Sequence, residues 1–357
     1  MLNISTIWLF LLGIRPFSYF FNFPSVVFTA AITGLQLIQF MIYLQRTRGK
    51  VKFLYLALIL LILLTAYNFA TLAIVNICLS VILLKKENIR LISSVALISI
   101  CIGIFIYISL LWTGCIQDRI MIMPKGIAHT FGYSNSNGIG SLVFQATLIF
   151  YVFIETHFSK NFISNLFVLL LLIPNYLIYK LSLGRTAFYA ILLFFLIFIL
   201  CSFNLKKLYG TRKFISLFPF LLFFLSLLLC KIYERYPFLD VLFTTRFSKN
   251  SVHLNSMSSV NYIIGYRLPE GPMDSAYLMQ LFGGGICSVL LFLFIASKGI
   301  YRFDKNNFFA FIPFIFCMLV SGFAENTFSS FSLPTVLFYK ALTDSFELKN
   351  LKRGYLC

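Results

Sequence analysis

The feature that most restricts the fold of this chain is a series of apolar runs, each about 20 residues long, that recurs along the sequence. A run of that length can cross the roughly 30 Å hydrocarbon core of a bilayer. Inside a bilayer the backbone hydrogen bonds must be made within the protein, so a spanning segment is an α-helix or a strand of a closed barrel. The runs are continuous, as in Ile191–Leu200 (ILLFFLIFIL), and do not alternate with polar residues. The sequence therefore predicts an all-α, polytopic integral membrane protein.

Composition agrees with this interpretation. Of the 357 residues, 60% are hydrophobic and 11% are charged, whereas an average soluble domain carries about 25% charged residues. The sequence shows no internal repeat and no separate soluble domain, so residues 1–357 are predicted to form a single membrane domain. The 8 cysteines are scattered without a C-x-x-C pair, which is typical of small buried side chains.

The apolar runs predict about twelve transmembrane helices. They lie near residues 2–20, 25–44, 53–68, 69–84, 91–112, 138–154, 163–182, 186–203, 214–230, 274–296, 307–324 and 328–343. Arg15-Pro16 interrupts the first of them, and only a polar notch at Tyr67-Asn68 divides the third from the fourth. The two longest connections, 113–137 and 231–273, follow the fifth and the ninth helix.

The distribution of basic residues predicts the orientation. The chain has 29 Lys and Arg against 11 Asp and Glu, a formal net charge of +18. One set of alternate loops, together with the C-terminal tail, is richer in Lys and Arg than the other set, and the positive-inside rule makes that set cytoplasmic. Both termini are then cytoplasmic, and the loops 113–137 and 231–273 are outside. This rule explains the charge, so no nucleic-acid partner is expected.

The outer side carries most of the side chains that could do chemistry. Its basic residues gather in the two longest loops, together with His129 and His253. Six of the 11 acidic residues lie on or near the same side: Asp118, Glu234, Asp240, Glu270, Asp274 and Glu325. The loop 231–273 is long enough to expect a functional role, and short helices on the membrane surface are predicted within it.

Arginines of the outer side are candidate phosphate ligands, because guanidinium makes paired hydrogen bonds to phosphate oxygens and keeps its charge. Arg246 and Arg267 lie in the long loop, and Arg119 lies in the first loop. Arg185 lies in a tight hairpin, Ser182–Thr186, where a charge near the membrane is costly unless it is paired or faces a polar cavity. The alternatives are solvated side chains, contacts with lipid headgroups or, for Arg185, snorkelling to the surface.

Candidates for a general base are His253, Asp274 and His129. Asp274 begins a predicted helix, where a carboxylate can equally cap free N–H groups. Glu325, in the last outer turn, is expected to be a solvated acid. No H-E-x-x-H, P-loop, D-x-D or G-x-S-x-G motif is present, so no metal and no cofactor is predicted.

The stretch His129–Gly140 (HTFGYSNSNGIG) is dense in turn-forming, hydrogen-bonding residues. Asn137 is predicted to cap the helix that follows it. Tyr133 and Asn135 could face a ligand.

Three segments together resemble a known family. Phe131–Gly140 looks like its G-F/Y-x-x-x-N element at the start of a span, and Ser182–Phe188 (SLGRTAF) looks like its S-x-(S/G)-R-T-x-F hairpin. The long outer loop supplies the third likeness, in this order: Thr245-Arg246-Phe247, Ile264-Gly265-Tyr266 and Asp274-Ser275-Ala276-Tyr277, before a span with Gly283-Gly284-Gly285. On these motifs, which cover about residues 113–300, the chain resembles the O-antigen polymerase-like family, the Wzy-type polymerases of bacterial surface oligosaccharide repeat units.

The resemblance implies a GT-C-like membrane glycosyltransferase in the bacterial cytoplasmic (inner) membrane. It would transfer a growing glycan from polyprenyl pyrophosphate onto a new lipid-linked repeat unit, by inverting and metal-independent chemistry, in the synthesis of a surface polysaccharide such as capsule. Arg185 and Arg246 would stabilise the pyrophosphate, and His253 or Asp274 would assist catalysis. Substrate would be bound by the remaining site residues: Arg267, Arg119, His129, Tyr133, Asn135, Asn137 and Tyr266. Membrane lipids, a flippase and a chain-length regulator would be its partners.

The sequence departs from the family at one point. Relatives often place an arginine just before the G-F/Y element, where this chain has His129-Thr130. That role then falls to His129, Arg119 or Lys125.

Two alternatives remain at this stage. An O-antigen ligase has the same architecture and differs in its acceptor. A lipid-linked oligosaccharide flippase is not an enzyme, and it needs cations in a central cavity, whereas almost no charge lies in the middle of the predicted spans.

Overall fold

The computed structural model describes residues 3–21, 25–46, 69–123, 126–159, 161–203, 209–238, 246–265 and 275–344. Over these residues the chain forms helices and a two-stranded hairpin. It divides into two compact units. The first consists of Met1–Arg46, Lys86–Phe203 and Ser332–Leu337, and the second of Thr47–Lys85, Asn204–Phe331 and Phe338–Cys357.

The elements described follow one another along the chain in this order. The first are α1 (Ile4–Ile14), a 3-10 helix (Arg15–Phe21), α2 (Ser25–Arg46), α3 (Phe69–Leu83) and α4 (Ile89–Trp112). The middle ones are β1 (Ile120–Met123), β2 (Gly126–His129), α5 (Asn137–His157), α6 (Phe162–Leu170), α7 (Leu172–Ser182) and α8 (Arg185–Ser202). The last are α9 (Arg212–Ile232), α10 (Arg246–Ser256), α11 (Ser259–Ile264), α12 (Ala276–Arg302), α13 (Lys305–Ala324) and α14 (Leu333–Asp344).

Within the described residues, 8 helical segments are long and apolar enough to cross a membrane. They are Ser25–Gln45, Ile89–Trp112, Asn137–His157, Phe162–Ser182, Arg185–Ser202, Arg212–Ile232, Ala276–Arg302 and Asn307–Ala324. These segments confirm an all-α, multi-pass membrane protein. The predicted helix at 53–68 lies outside the described residues, so the number twelve stays a prediction.

The first and last predicted helices are shorter than expected. The α-helical part of the first ends at Ile14, and the chain continues as the 3-10 helix through Pro16, which has no N–H to donate to the preceding α-helical turn. The last helix begins at Leu333 rather than at 328. Serines precede it, and Ser330 Oγ donates to the carbonyl oxygen of Thr327, a local bond that competes with helical hydrogen bonding.

In the first unit α1 packs closely against α4. Gly13 makes this approach possible, because a Cβ there would collide with Ser99 of α4. Gly103 of α4 makes room for the 3-10 helix, because a Cβ there would collide with Phe17. Small residues at helix contacts are typical of membrane proteins, in which close backbone approach replaces the hydrophobic driving force. Trp8 is fully buried beside them, and its indole N–H donates to Gln39 at 2.9 Å.

The helix ends of the first unit sort into two groups. At one end Asn3 donates to Glu87, and Arg90 Nε donates to the carbonyl oxygen of Thr156. The 3-10 helix, the end of α4, the hairpin and the start of α5 meet at the opposite end, where Phe20 contacts Tyr107 and Tyr133. The predicted alternation of inner and outer loops requires the same grouping. The assignment of each end to a side of the membrane stays a prediction.

The second unit contains a broken helix. Gly285 interrupts α12 with φ 64° and ψ −170°, a conformation that only glycine adopts readily. The short helix α11 packs at the break, where a Cβ on Gly285 would collide with the carbonyl oxygen of Ile263. Gly265 lies similarly close to the carbonyl oxygens of Phe282 and Gly283. Gly265 and Gly285 therefore allow α11 to pack closely against α12.

We expect Gly285→Ala to lower the free energy of unfolding by about 1–3 kcal/mol or more, through backbone strain and the collision with Ile263. Thermal unfolding of the detergent-solubilised protein measures the effect. Gly34→Ala is the matched control, since a Cβ there meets nothing within 4 Å, and alanine at this helical site should be neutral or stabilising by up to about 1 kcal/mol. Equal melting temperatures for the two variants would contradict the packing described.

Candidate functional site

The most constrained segment of the first unit is the turn at Phe131-Gly132, which lies in the stretch His129–Gly140. Both residues have positive φ, 50° for Phe131 and 83° for Gly132, and phenylalanine is rarely found there. Two side chains hold the turn. The Tyr107 hydroxyl donates to the Phe131 carbonyl oxygen at 2.7 Å, and Asp118 Oδ1 accepts the Phe131 N–H at 2.7 Å.

The same carboxylate binds His129. Asp118 Oδ2 lies at hydrogen-bond distance from His129 Nδ1, and both side chains are about one-third exposed, 32% and 34%. When Nδ1 donates to the carboxylate, Nε2 of the neutral ring keeps its lone pair for an incoming proton. Arg119 lies next to Asp118 and is exposed, while its backbone pairs with Thr130.

The start of α5 is capped differently from the prediction. Asn135 Oδ1 accepts hydrogen bonds from the N–H groups of Asn137 and Gly138, at 3.0 and 3.1 Å. Asn137 is itself the first helical residue and is exposed, so the prediction that Asn137 provides the cap is wrong. Both asparagines lie in the same short Ser-Asn-Ser-Asn segment, and the asparagine that precedes the helix provides the cap.

Tyr133 packs inward and supports the turn. Its ring lies against Phe20, Tyr107 and Gly138, and its hydroxyl oxygen is shielded from solvent without a hydrogen-bond partner. Burial raises the pKa of the Tyr133 hydroxyl above its ordinary value. Tyr133 is therefore neutral and presents little of its surface to a ligand in this conformation.

Two of the three motifs that carry the family resemblance adjoin each other in the first unit. A Cβ at Gly184 would lie 3.4 Å from Asn137 Oδ1 and 3.7 Å from the Ser136 carbonyl oxygen. A Cβ at Gly140 would lie 3.6 Å from the Ala187 side chain. The first turns of α5 and α8 are therefore neighbours, although these segments are distant in sequence.

Arg185 is the first residue of α8 and is half-buried. Among the described residues it has no hydrogen-bond or ion-pair partner. A cation at a helix N-terminus is placed against the helix dipole, and the neighbouring N-terminus of α5 adds a second positive end. The tight turn before it is held by Leu183 in the left-handed region, φ 55°, and by Ser182 Oγ, which accepts the Gly184 N–H. This corner attracts an anion.

The second unit contains a nearly buried ion pair. Arg246 Nη2 donates to Glu325 Oε1 at 2.8 Å, and the two side chains are 10% and 30% exposed. Arg246 begins α10, while Glu325 follows the last residue of α13. The backbone of Glu325 is fixed as well, because its carbonyl oxygen accepts the N–H of Ala276. Glu325 is therefore a structured partner of Arg246 and not the solvated turn acid that was expected.

His253 lies on the same helix face as Arg246. The spacing of Arg246, Asn250 and His253 is that of one α-helical face, and Asn250 is buried between the other two. The His253 ring packs edge-on against Phe282. Burial lowers the pKa of His253, so the neutral imidazole predominates at pH 7.

Three predicted site residues, Tyr266, Arg267 and Asp274, lie outside the described residues, as does Lys125. The structure brings His129, Tyr133, Asn135, Asn137 and Arg185 to one end of the first unit, and Arg246 and His253 to one helix of the second. Asp118 and Glu325 are the contributors that the sequence did not identify. The sequence feature that points to these two residues is the concentration of acidic residues on the predicted outer side.

Comparison with known proteins identifies no relative: the chain matches no protein-family model, no curated protein and no solved structure. In the part of the chain that the structure describes, no three His, Cys, Asp or Glu side chains group as a metal site.

We expect Glu325→Leu to lower the free energy of unfolding by about 3 kcal/mol, because it leaves a nearly buried guanidinium without its carboxylate. Arg246→Met should cost less, because Glu325 is more exposed. Arg246→Met/Glu325→Leu should regain most of the loss, because two apolar side chains replace the pair. Thermal unfolding in detergent measures all three.

Lys249→Ala, at an exposed position of the same helix, controls for the loss of any positive charge and should change stability by less than about 0.5 kcal/mol. A double variant whose loss equals the sum of the single losses would show that the two residues do not act as a pair.

Proposed function

We propose that the chain is a membrane glycosyltransferase that polymerises polyprenyl-pyrophosphate-linked oligosaccharide repeat units at the outer face of the bacterial cytoplasmic membrane. One observation carries this proposal. The two motif segments Phe131–Gly140 and Ser182–Phe188 adjoin, and the second contains Arg185, a half-buried helix-starting arginine without a protein partner among the described residues.

The reaction gives Arg185 a specific task. A hydroxyl oxygen of the acceptor repeat unit attacks the anomeric carbon of the donor glycan, the bond from that carbon to the pyrophosphate oxygen breaks, and the electron pair leaves with the pyrophosphate. The departing group gains negative charge in the transition state, and a fixed guanidinium stabilises it most at that moment. Arg185 suits this task because no carboxylate among the described residues neutralises it.

Arg246 has a different character. Because Glu325 pairs with it and nine-tenths of its side chain is buried, Arg246 can hold the Glu325 carboxylate in place as well as contact an anion. A carboxylate held in this way accepts hydrogen bonds from sugar hydroxyls. Each unit has an imidazole at its predicted outer side that can accept a proton: His129, oriented by Asp118, in the first, and His253, whose pKa burial lowers, in the second.

A flippase fits the structure less well. Charged residues in the described spans lie near helix ends, as do Arg90, Lys180, Arg212 and Lys298. A transporter of pyrophosphate-linked glycans would need cations at mid-membrane depth. A ligase shares the chemistry and differs in the acceptor, so the products decide between the two.

Deletion of the gene tests the function. A polymerase deletion leaves single lipid-linked repeat units on the outer face, and surface glycans one unit long. A ligase deletion leaves long lipid-linked polymers that are not transferred, and a flippase deletion leaves single units on the cytoplasmic face. Either of the last two results would overturn the proposal.

Complementation of this deletion tests Arg185. Loss of a charge-assisted hydrogen bond of about 1.5–3 kcal/mol predicts polymerisation that is slower by a factor of about 10–150 for Arg185→Ala. Arg185→Lys should retain part of the rate, because the charge remains without the paired geometry. Chain-length distribution and protein level in the membrane are the measurements.

The control for this comparison is Lys213→Ala, which removes an exposed cation from the first turn of another spanning helix. It should leave chain length unchanged. Wild-type chain length in Arg185→Ala cells at a normal protein level would remove Arg185 from the mechanism.

A further inference from the structure

In the second unit, hydrogen bonds join the start of α12 to the end of α13 and the turn after it. The Ala276 N–H donates to the Glu325 carbonyl oxygen at 3.2 Å, and Ser329 Oγ donates to the Ala276 carbonyl oxygen. The Tyr277 hydroxyl donates to the Leu319 carbonyl oxygen of α13 at 3.1 Å. These three bonds fix the first residues of α12 beside the turn.

Two polar atoms at this junction are buried and have no hydrogen-bond partner among the described residues: Ser275 Oγ and Asn326 Oδ1. Ser275 is only 3% exposed. The chain brings the two residues together, because Ser275 precedes Ala276, Asn326 follows Glu325, and Ala276 and Glu325 are hydrogen-bonded. Buried polar atoms in native proteins are nearly always paired, so two such atoms at one place point to a ligand.

Ser275 occupies the N-cap position of α12 without acting as a cap. Serine at this position usually accepts an N–H of the first helical turn, but the Ser275 side chain makes no such bond. The first N–H groups of a helix have no partner within the helix. Glu325 takes the N–H of Ala276, and no described residue accepts those of Tyr277 and Leu278. The start of α12 therefore presents hydrogen-bond donors.

The charges at the junction favour a neutral ligand. The Glu325 carboxylate, which Arg246 Nη2 holds at 2.8 Å, repels an anion. The positive end of α12 repels a cation. A hydroxyl group is complementary to donors at a helix start beside the acceptor Asn326 Oδ1, because it accepts one hydrogen bond and donates another. Sugars carry several such groups on one ring.

We propose that Ser275, Asn326, Glu325 and the first turn of α12 form a binding site for sugar hydroxyl groups. The Ser275 hydroxyl or an N–H of the first turn donates to a sugar oxygen, and the sugar hydroxyl donates to Asn326 Oδ1 or to the Glu325 carboxylate. The Glu325 side chain is 30% exposed, so it marks the side from which the sugar enters. The identification of this sugar as part of a lipid-linked repeat unit rests on the proposed function.

Binding of a free oligosaccharide to the full-length protein in lipid nanodiscs tests the site without any activity assay. The probe is the oligosaccharide that mild acid releases from the lipid-linked glycan of the same bacterium, because it carries the sugar hydroxyls without the pyrophosphate. Saturation-transfer NMR measures its dissociation constant. Inorganic pyrophosphate is measured separately, as a probe for an anion site.

Ser275→Ala should weaken oligosaccharide binding by a factor of about 3–10, which corresponds to the loss of one neutral hydrogen bond, and should leave pyrophosphate binding unchanged. It should keep or raise the melting temperature, because the Ser275 hydroxyl makes no hydrogen bond to a described residue that alanine would lose. Asn326→Leu, which is similar in volume, is an independent variant and should weaken oligosaccharide binding to a similar extent.

Ser258→Ala is the matched control, because Ser258 Oγ caps α11 by accepting the Asn261 N–H. This variant should lower the melting temperature and keep the affinity for the oligosaccharide. The opposite pattern in Ser275→Ala, weaker binding without lower stability, distinguishes a ligand site from a structural serine.

Wild-type oligosaccharide affinity in both Ser275→Ala and Asn326→Leu would overturn the proposal, as would a wild-type protein that does not bind the oligosaccharide. Weaker binding of pyrophosphate in place of the oligosaccharide would also overturn it, in favour of an anion site. These results would leave the proposed function intact, since glycan polymerisation is measured separately. Confirmed sugar binding together with the deletion phenotype of a ligase or a flippase would retain the site and remove only its assignment to a polymerase.

Discussion

The structure depends first on the absence of water from the bilayer core. Every backbone group that enters hydrocarbon must find its partner within the protein, which makes long helices the default and any break costly. The break in α12 shows what is needed to tolerate one. Gly285 turns the chain out of the helix, and α11 lies directly against it, with its backbone at Ile263-Ile264 in contact. Irregular structure is thus found where another segment covers it.

The same scarcity of water governs the charges, and it separates the described cations into two kinds. Lys340 is nearly buried, pairs with Asp344 and donates to the carbonyl oxygen of Leu84, and Arg246 pairs with Glu325. These charges are satisfied by the protein and are expected to stabilise one arrangement of helices. Arg185 is half-buried at a helix start and has no such partner among the described residues. A cation of this second kind is suited to pair with a negatively charged ligand.

The sequence predicted the class of fold and most spans, because a run of apolar residues determines its own secondary structure in lipid. The helix predicted at 25–44 is observed as Ser25–Arg46 and the one at 186–203 as Arg185–Ser202. The hairpin was not predicted, since Ile120–Met123 is uniformly apolar and too short to show alternation. The pair of Arg246 and Glu325 joins residues far apart in the chain, a contact that no local pattern contains. Arg185 and Arg246 were predicted from residue chemistry, but whether a cation has a protein partner is a property of the fold.

The turn at Phe131 has a consequence for how the glycan of the proposed reaction would be received. A phenylalanine in the left-handed region is held there by Tyr107 from a spanning helix and by Asp118 from the adjacent loop, and the same aspartate holds His129. The turn and the imidazole are therefore held together by one carboxylate before any ligand arrives. A surface that is ordered in advance loses little conformational entropy when a ligand binds, and it distinguishes ligands by their shape. If the proposed function holds, tolerance for different sugars does not come from adjustment of this turn.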